Sequence, residues 1–177
     1  VAVVGVIGLV IWRNQNKPEV NLPGQTRPTE AVPEKASQSD LKTVVFASDL
    51  GKVRVLELDP EGVLVASLTD SGKVVALPDT DGDSKADRVA EILSGLNQPH
   101  GLAFDAGYLY VAETDKVVRY LYDSPSMRAG PGEVLFSLPE GGRHFSRTIR
   151  IIGDKLYIAV GSSCDTCVED DPMRAAI

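Results

Sequence analysis

Three short apolar segments recur along the chain at nearly constant spacing. Leu156-Tyr157-Ile158-Ala159-Val160 matches Leu109-Tyr110-Val111-Ala112-Glu113 and, more weakly, Val63-Leu64-Val65-Ala66-Ser67, at offsets of 46 and 47 residues. Nine positions before each segment stands a polar side chain that opens a hydrophobic strand: Arg54, His100 and Arg147. A period of about 40–50 residues made of short strands is the sequence form of a propeller blade. One small sheet cannot bury both its faces, so each repeat must stack on the next.

Between the segments the pattern is that of an all-β domain. Strands are predicted over Thr43–Ala47, Val53–Leu58, Val63–Leu68, Val74–Leu77, Gly101–Phe104, Tyr108–Glu113, Val117–Tyr122, Glu133–Ser137, Thr148–Ile152 and Lys155–Val160. Asp-Pro, Asp-Ser-Gly, Asp-Ala-Gly and Gly-Asp turns separate them. Helical periodicity is nearly absent, and a short helical turn is expected only over Asp87–Leu96. From Leu41 onward there is room for about three blades at this period, whereas closed propellers have four to eight. The chain therefore reads as a partial β-propeller, the N-terminal portion of a longer protein.

The region before Leu41 has a different character. Residues 1–13, VAVVGVIGLVIW and Arg13, are apolar up to the final charge and are expected to be a truncated signal peptide or membrane anchor. Twelve helical residues span roughly 18 Å, less than a bilayer core of about 30 Å. Residues 14–40 carry Pro18, Pro23, Pro28 and Pro33 among Gln, Ser, Thr and Glu, the composition of a linker that cannot build a core. Residues 41–177 form the propeller domain. A leading anchor and a tether imply an extracytoplasmic protein, membrane-anchored or secreted. The net charge of −7 argues against nucleic acid as a partner, because phosphate contacts need clustered Lys and Arg.

Three constellations could carry chemistry. Repeat-equivalent residues of a propeller lie at one height around the axis, so Arg54, His100 and Arg147 converge on the channel mouth. There they either cap their strands or form a polar, anion-attracting rim. The loop Asp79-Thr80-Asp81-Gly82-Asp83-Ser84-Lys85-Ala86-Asp87 places carboxylates at positions 1, 3, 5 and 9, a spacing suited to Ca²⁺, which takes six to eight oxygens. It departs from an EF-hand at position 6, where Ser84 stands, and at position 12, where Ala90 stands; a solvated acidic turn is the alternative. Cys164 and Cys167 form a lone C-x₂-C, with too few ligands for tetrahedral zinc. Outside the cytoplasm the pair is expected to close a local disulfide, with free thiols or ligation to other parts as the other options.

The segments DTDGDSKADRVAEILSGLNQPHGLAF, GYLYVAETDKVVRY, GGRHFSRTIR and KLYIAVGSSCDTC together resemble the sugar dehydrogenases that use pyrroloquinoline quinone. The sorbosone and aldose sugar dehydrogenases, related to soluble glucose dehydrogenase, are the most similar groups. The resemblance runs from about Leu41 to the end of the chain. It implies a six-bladed propeller with the quinone over the channel, and oxidation of a sugar or related polyol or aldehyde by hydride transfer to the quinone. It also implies that His144, ahead of the strand led by Arg147, takes the proton from the sugar hydroxyl. Imidazole titrates near neutrality and suits that role; a locally bonded surface histidine is the bland alternative. The three carboxylates of the quinone would favour Arg147. Arg143 stands where the soluble glucose dehydrogenases carry an acidic residue.

The cofactors implied are thus pyrroloquinoline quinone and Ca²⁺, and the partners a small sugar and an electron acceptor, cytochrome or quinone. Quinone-binding basic residues are expected in later blades, so these residues alone should be inactive. Fold alone does not separate a dehydrogenase from a non-enzymatic propeller that binds a partner or glycan, or from a propeller lactonase. The lactonase is disfavoured by Arg, His and Arg at the inner-strand starts.

Overall fold

The structure, a computed structural model, describes residues 43–177; the expected anchor and linker lie outside the described residues. Ten strands follow one another: β1 (Val53–Leu58), β2 (Leu64–Leu68), β3 (Lys73–Leu77), β4 (Ala90–Leu93), β5 (Gly101–Asp105), β6 (Tyr108–Ala112), β7 (Lys116–Asp123), β8 (Arg128–Ser137), β9 (Arg147–Ile152) and β10 (Lys155–Val160). They form antiparallel sheets in chain order, β1-β2-β3-β4 and β5-β6-β7-β8, followed by the pair β9-β10. No helix occurs among the described residues. The first strands neighbour one another, β1 against β5 and β5 against β9, so the sheets are arrayed like blades about an axis.

The recurring apolar segments are the second strands, and the stacking explains their composition. In β6, Leu109 and Val111 join Val65, Val74 and Ala76 of the first sheet in one core layer. The intervening Tyr110 and Ala112 join Ile149 and Val160 of the third sheet in another. A strand covered on both faces reads as a continuous apolar run instead of an alternation. The outer face of the first sheet, Ala66, Leu68, Val75 and Leu77, is covered by Phe46 and Leu50.

Two local expectations are corrected. Asp87–Leu96 holds no helical turn: Ala90 and Glu91 pair with Ala76 and Val75, and Leu93 pairs with Val74. The otherwise open edge of β3 takes a fourth strand, which satisfies its backbone groups. Thr43–Ala47 forms no strand. Its Phe46 carbonyl instead accepts a bond from the Ala86 amide (2.8 Å), and its apolar side chains cover the first sheet. Strand β8 starts earlier than expected, at Arg128, and carries Pro131. That is tolerable because β8 is an outermost strand.

Candidate functional site

Antiparallel pairing decides which loops meet. Val53 lies opposite Leu68, Gly101 opposite Ala112 and Arg147 opposite Val160. Each first strand therefore starts at the end where its second strand finishes. The loop entering β9, which carries His144, and the loop leaving β10, which carries both cysteines, emerge at that same end.

Arg54, His100 and Arg147 stand there in equivalent positions. Arg54 occupies a bulge, since the β1–β2 register shifts between Val53 and Val55. A bulge re-aims its side chain, and Arg54 Nε donates to His100 Nε2 at 2.7 Å. His100 is buried and fixed by its own main chain: its amide bonds the Ala112 carbonyl (2.9 Å) and its carbonyl accepts from Ser67 Oγ (2.8 Å). With Nε2 accepting from Arg54, the ring proton lies on Nδ1, which is buried and has no partner. Burial first, and then the Arg54 charge, holds the His100 pKa below its ordinary value. His100 is thus a neutral imidazole near physiological pH. At Gly101 an added Cβ would lie 2.6 Å from the Arg147 carbonyl oxygen, so glycine is what lets β5 approach β9 this closely.

Arg147 is fully buried, and its guanidinium is committed to main chain. Nη1 donates to the carbonyls of His144 (3.1 Å) and Ser146 (3.0 Å), and Nη2 to that of Pro139 (2.7 Å). Nε is buried without a partner. Burial, with a smaller contribution from Arg174, lowers its pKa. Where a ligand to the quinone carboxylates is expected from the sequence, the structure places the anchor of the 139–146 loop. Arg174 holds the same loop through the carbonyls of Glu140 and Gly141.

His144 sits in that loop, half exposed. The Arg143 and His144 amides donate to the carbonyls of Ser163 and Ser162, so the loop lies alongside the chain leaving β10. Gly161 keeps this contact open, because a Cβ there would meet the His144 carbonyl and Cβ. The His144 ring meets Asp165: Nε2 to Oδ1 is 2.9 Å, while Arg143 Nη1 donates to Oδ2 at 2.6 Å. An ionised carboxylate only accepts, so His144 Nε2 carries the proton and the lone pair is on Nδ1. Cys164 and Cys167 are joined as a disulfide, with Asp165 between them. Glu169 closes a wider loop by accepting from the Ser163 amide (2.6 Å) and Oγ (2.9 Å).

The acidic loop is partly assembled. Carboxylate oxygens of Asp79, Asp81 and Asp83 lie within 4.8 Å of one another. Asp87 is turned away from them, accepting from the Thr80 amide (2.8 Å) and hydroxyl (2.5 Å), and these bonds lower its pKa. Ser84 adopts a positive φ of 68°, the conformation that the EF-hand glycine supplies.

Asp165 is the residue that reading the sequence for motifs passes over, because it looks like a spacer between two cysteines. The signal was topological: it is the first acid beyond the end of β10, where the His144 loop also arrives.

Successive four-stranded antiparallel sheets with adjoining first strands and a polar cluster at the strand-entry end define part of a β-propeller. The family model described as TrAA12-like matches residues 35–172, and the chain belongs to the TrAA12-like family. Its fold is similar to that of a Trichoderma reesei protein of carbohydrate-active enzymes family AA12, at 22% identity and a TM-score of 0.60, over 68% of this chain and 32% of that one. The holo pyranose dehydrogenase PQQ domain from Coprinopsis cinerea matches at 20% identity and a TM-score of 0.60, over 66% and 29% of the two chains. The PQQ-bound aldose sugar dehydrogenase from Streptomyces coelicolor matches at 24% and 0.51, over 71% and 42%. The chain spans about a third of the length of the first two of these structures. No curated protein matches it.

Proposed function

We propose that the chain contributes blades and the proton acceptor to an extracytoplasmic quinoprotein dehydrogenase that oxidises a sugar or a related polyol or aldehyde. The observation that carries this reading is the pairing of His144 with Asp165 at the same end as the Arg54–His100 pair. Asp165 fixes the tautomer, so that Nδ1 holds the lone pair that takes a hydroxyl proton. It then stabilises the imidazolium that results. Arg54 bonds His100 through Nε, which leaves its other N–H groups as donors for a polycarboxylate, and Arg143 offers a second guanidinium, shared with Asp165. Those two residues would face the quinone, and Arg147 and Arg174 would hold the loop that presents His144. Pyrroloquinoline quinone, when bound, supplies the two-electron acceptor for the hydride. The similarity to AA12 and PQQ-domain structures supports this assignment at the level of fold, and membership of the TrAA12-like family supports it further. The Cys164–Cys167 disulfide agrees with an oxidising compartment, and the apolar residues 1–13 would supply a membrane anchor.

The test is dye-linked sugar oxidation by the protein carrying its remaining blades, reconstituted with the quinone. His144→Gln should keep fold and quinone binding and lose turnover. Near wild-type turnover would end the assignment and leave a binding propeller as the better reading.

We also propose that Asp79, Asp81 and Asp83 hold a structural Ca²⁺, with Asp87 buttressing the loop through Thr80. Calcium should raise the melting temperature, since a ligand at 100 times its Kd stabilises by about 2.7 kcal/mol. Asp81→Ala should abolish that rise; if the rise persists, the loop is a solvated turn.

A further inference from the structure

We propose that the Cys164–Cys167 disulfide is the element that positions Asp165 against His144, and that its reduction by a dithiol uncouples the pair. The starting point is a mismatch between exposure and order. The side chains of Arg143, His144 and Asp165 are 74%, 48% and 50% exposed. Ion pairs this open are weak and readily sample other rotamers. Both carboxylate oxygens of Asp165 are nonetheless engaged, at 2.9 and 2.6 Å. The alignment must therefore come from the two main chains that carry these groups.

On the His144 side the restraints are plain: amide bonds to Ser162 and Ser163, Arg147 on the His144 carbonyl, and Gly161 beneath. On the Asp165 side Ser162 Oγ donates to the Cys164 carbonyl (2.7 Å), and the disulfide is the covalent restraint that brackets the residue. It closes the ring Cys164-Asp165-Thr166-Cys167 with a Cα–Cα distance of 5.9 Å. The Ser163–Glu169 bonds span a larger loop around that ring. A cross-link this local does little for global stability, because its loop-closure term is small. Its effect falls on the residue it encloses.

Cys167 is exposed, so an external thiolate can reach its sulfur. Attack breaks the Sγ–Sγ bond and forms a mixed disulfide to one cysteine. The second thiol of the reductant resolves it. Two electrons and two protons end on Cys164 and Cys167, and the dithiol leaves as its own disulfide. Asp165 then swings off His144. The functional consequence, loss of an oriented base, rests on the reading of His144 given above; the positioning itself does not.

The two histidines of the chain make a direct assay possible. Diethyl pyrocarbonate acylates free imidazole nitrogen, and peptide mass spectrometry reads each site separately. In the oxidised full chain His144 should react readily at Nδ1, whose lone pair is free and made more nucleophilic by the bond from Nε2–H to Asp165, while His100 reacts slowly because it is buried. After dithiothreitol and its anaerobic removal, His144 should react roughly tenfold more slowly, the scale of one charge-assisted hydrogen bond, while His100 stays slow. Cys164→Ser with Cys167→Ser should match the reduced chain, and Asp165→Ala in the oxidised chain should set the uncoupled rate. If Asp165→Ala slows His144 and reduction does not, the disulfide is not the positioning element. If Asp165→Ala has no effect, the pair is not formed. If reduction also makes His100 reactive, the disulfide secures the domain as a whole; any of these results overturns the proposal. Dye-linked turnover of His144→Gln tests the catalytic reading separately, so the two can fail independently.

Discussion

His100 and His144 lie at the same end of the sheets, yet their surroundings are opposite in every respect that matters chemically. His100 opens a strand, is buried, and accepts a bond from an arginine. His144 lies in a loop, is half exposed, and donates to a carboxylate. A cation beside a buried imidazole disfavours its protonation; a carboxylate bonded to a loop imidazole fixes which nitrogen carries the proton. A base that must become a cation during reaction needs the second setting. The difference teaches that in a propeller the repeat register supplies rigid struts, and that chemistry is placed on the loops they hold.

The largest effect expected from this contrast is kinetic. His144→Gln should lower turnover of the reconstituted enzyme by about 10²–10⁴-fold, the usual cost of losing a general base. His100→Gln should leave turnover within a few-fold and act on stability instead. Equal losses from both would erase the distinction and point to a shared structural role.

The next effect is on stability. Arg147→Met takes the donors away from three carbonyls and should destabilise the fold by about 1–3 kcal/mol, the cost of leaving buried acceptors unsatisfied. Measured by urea unfolding, a loss below about 1 kcal/mol would mean that the 139–146 loop holds itself, against the reading of Arg147 as its anchor.

The struts were legible in the sequence and the site only in part, for a physical reason. Strand stacking imposes a 46- and 47-residue period on composition, so β1, β5 and β9 and their leading Arg54, His100 and Arg147 could be placed without coordinates. Even the Arg54–His100 contact follows the register. What the register does not encode is where a long side chain ends. Arg147 leads its strand as Arg54 does, but it meets a loop of bare carbonyls and turns inward to them, whereas Arg54 sits in a bulge and reaches the next blade. Asp165 was hidden because its partner is 21 residues away and joined to it only through two loops. β4 was missed because Ala-Glu-Ile-Leu carries no strand signal of its own; the open edge of β3 recruits it.

The smallest effect sharpens the comparison most, because it separates burial from charge at His100. Its folded pKa lies below the ordinary value of about 6.5. Between those two values the unfolded chain binds more protons than the folded one, so stability falls as pH drops through about 6.5 and is fully present above it. Melting temperatures of the wild type from pH 8 to pH 4.5 should therefore decline more steeply than those of His100→Gln, whose side chain does not titrate. Carboxylates common to both proteins cancel in the difference. Burial is the first cause of the shift and Arg54 the second. Arg54→Met should accordingly recover part of the gap between the two curves and leave the rest. Should Arg54→Met be as flat as His100→Gln, the arginine charge, not desolvation, keeps this imidazole neutral. The contrast between the two histidines would then rest on the group bonded to each more than on burial.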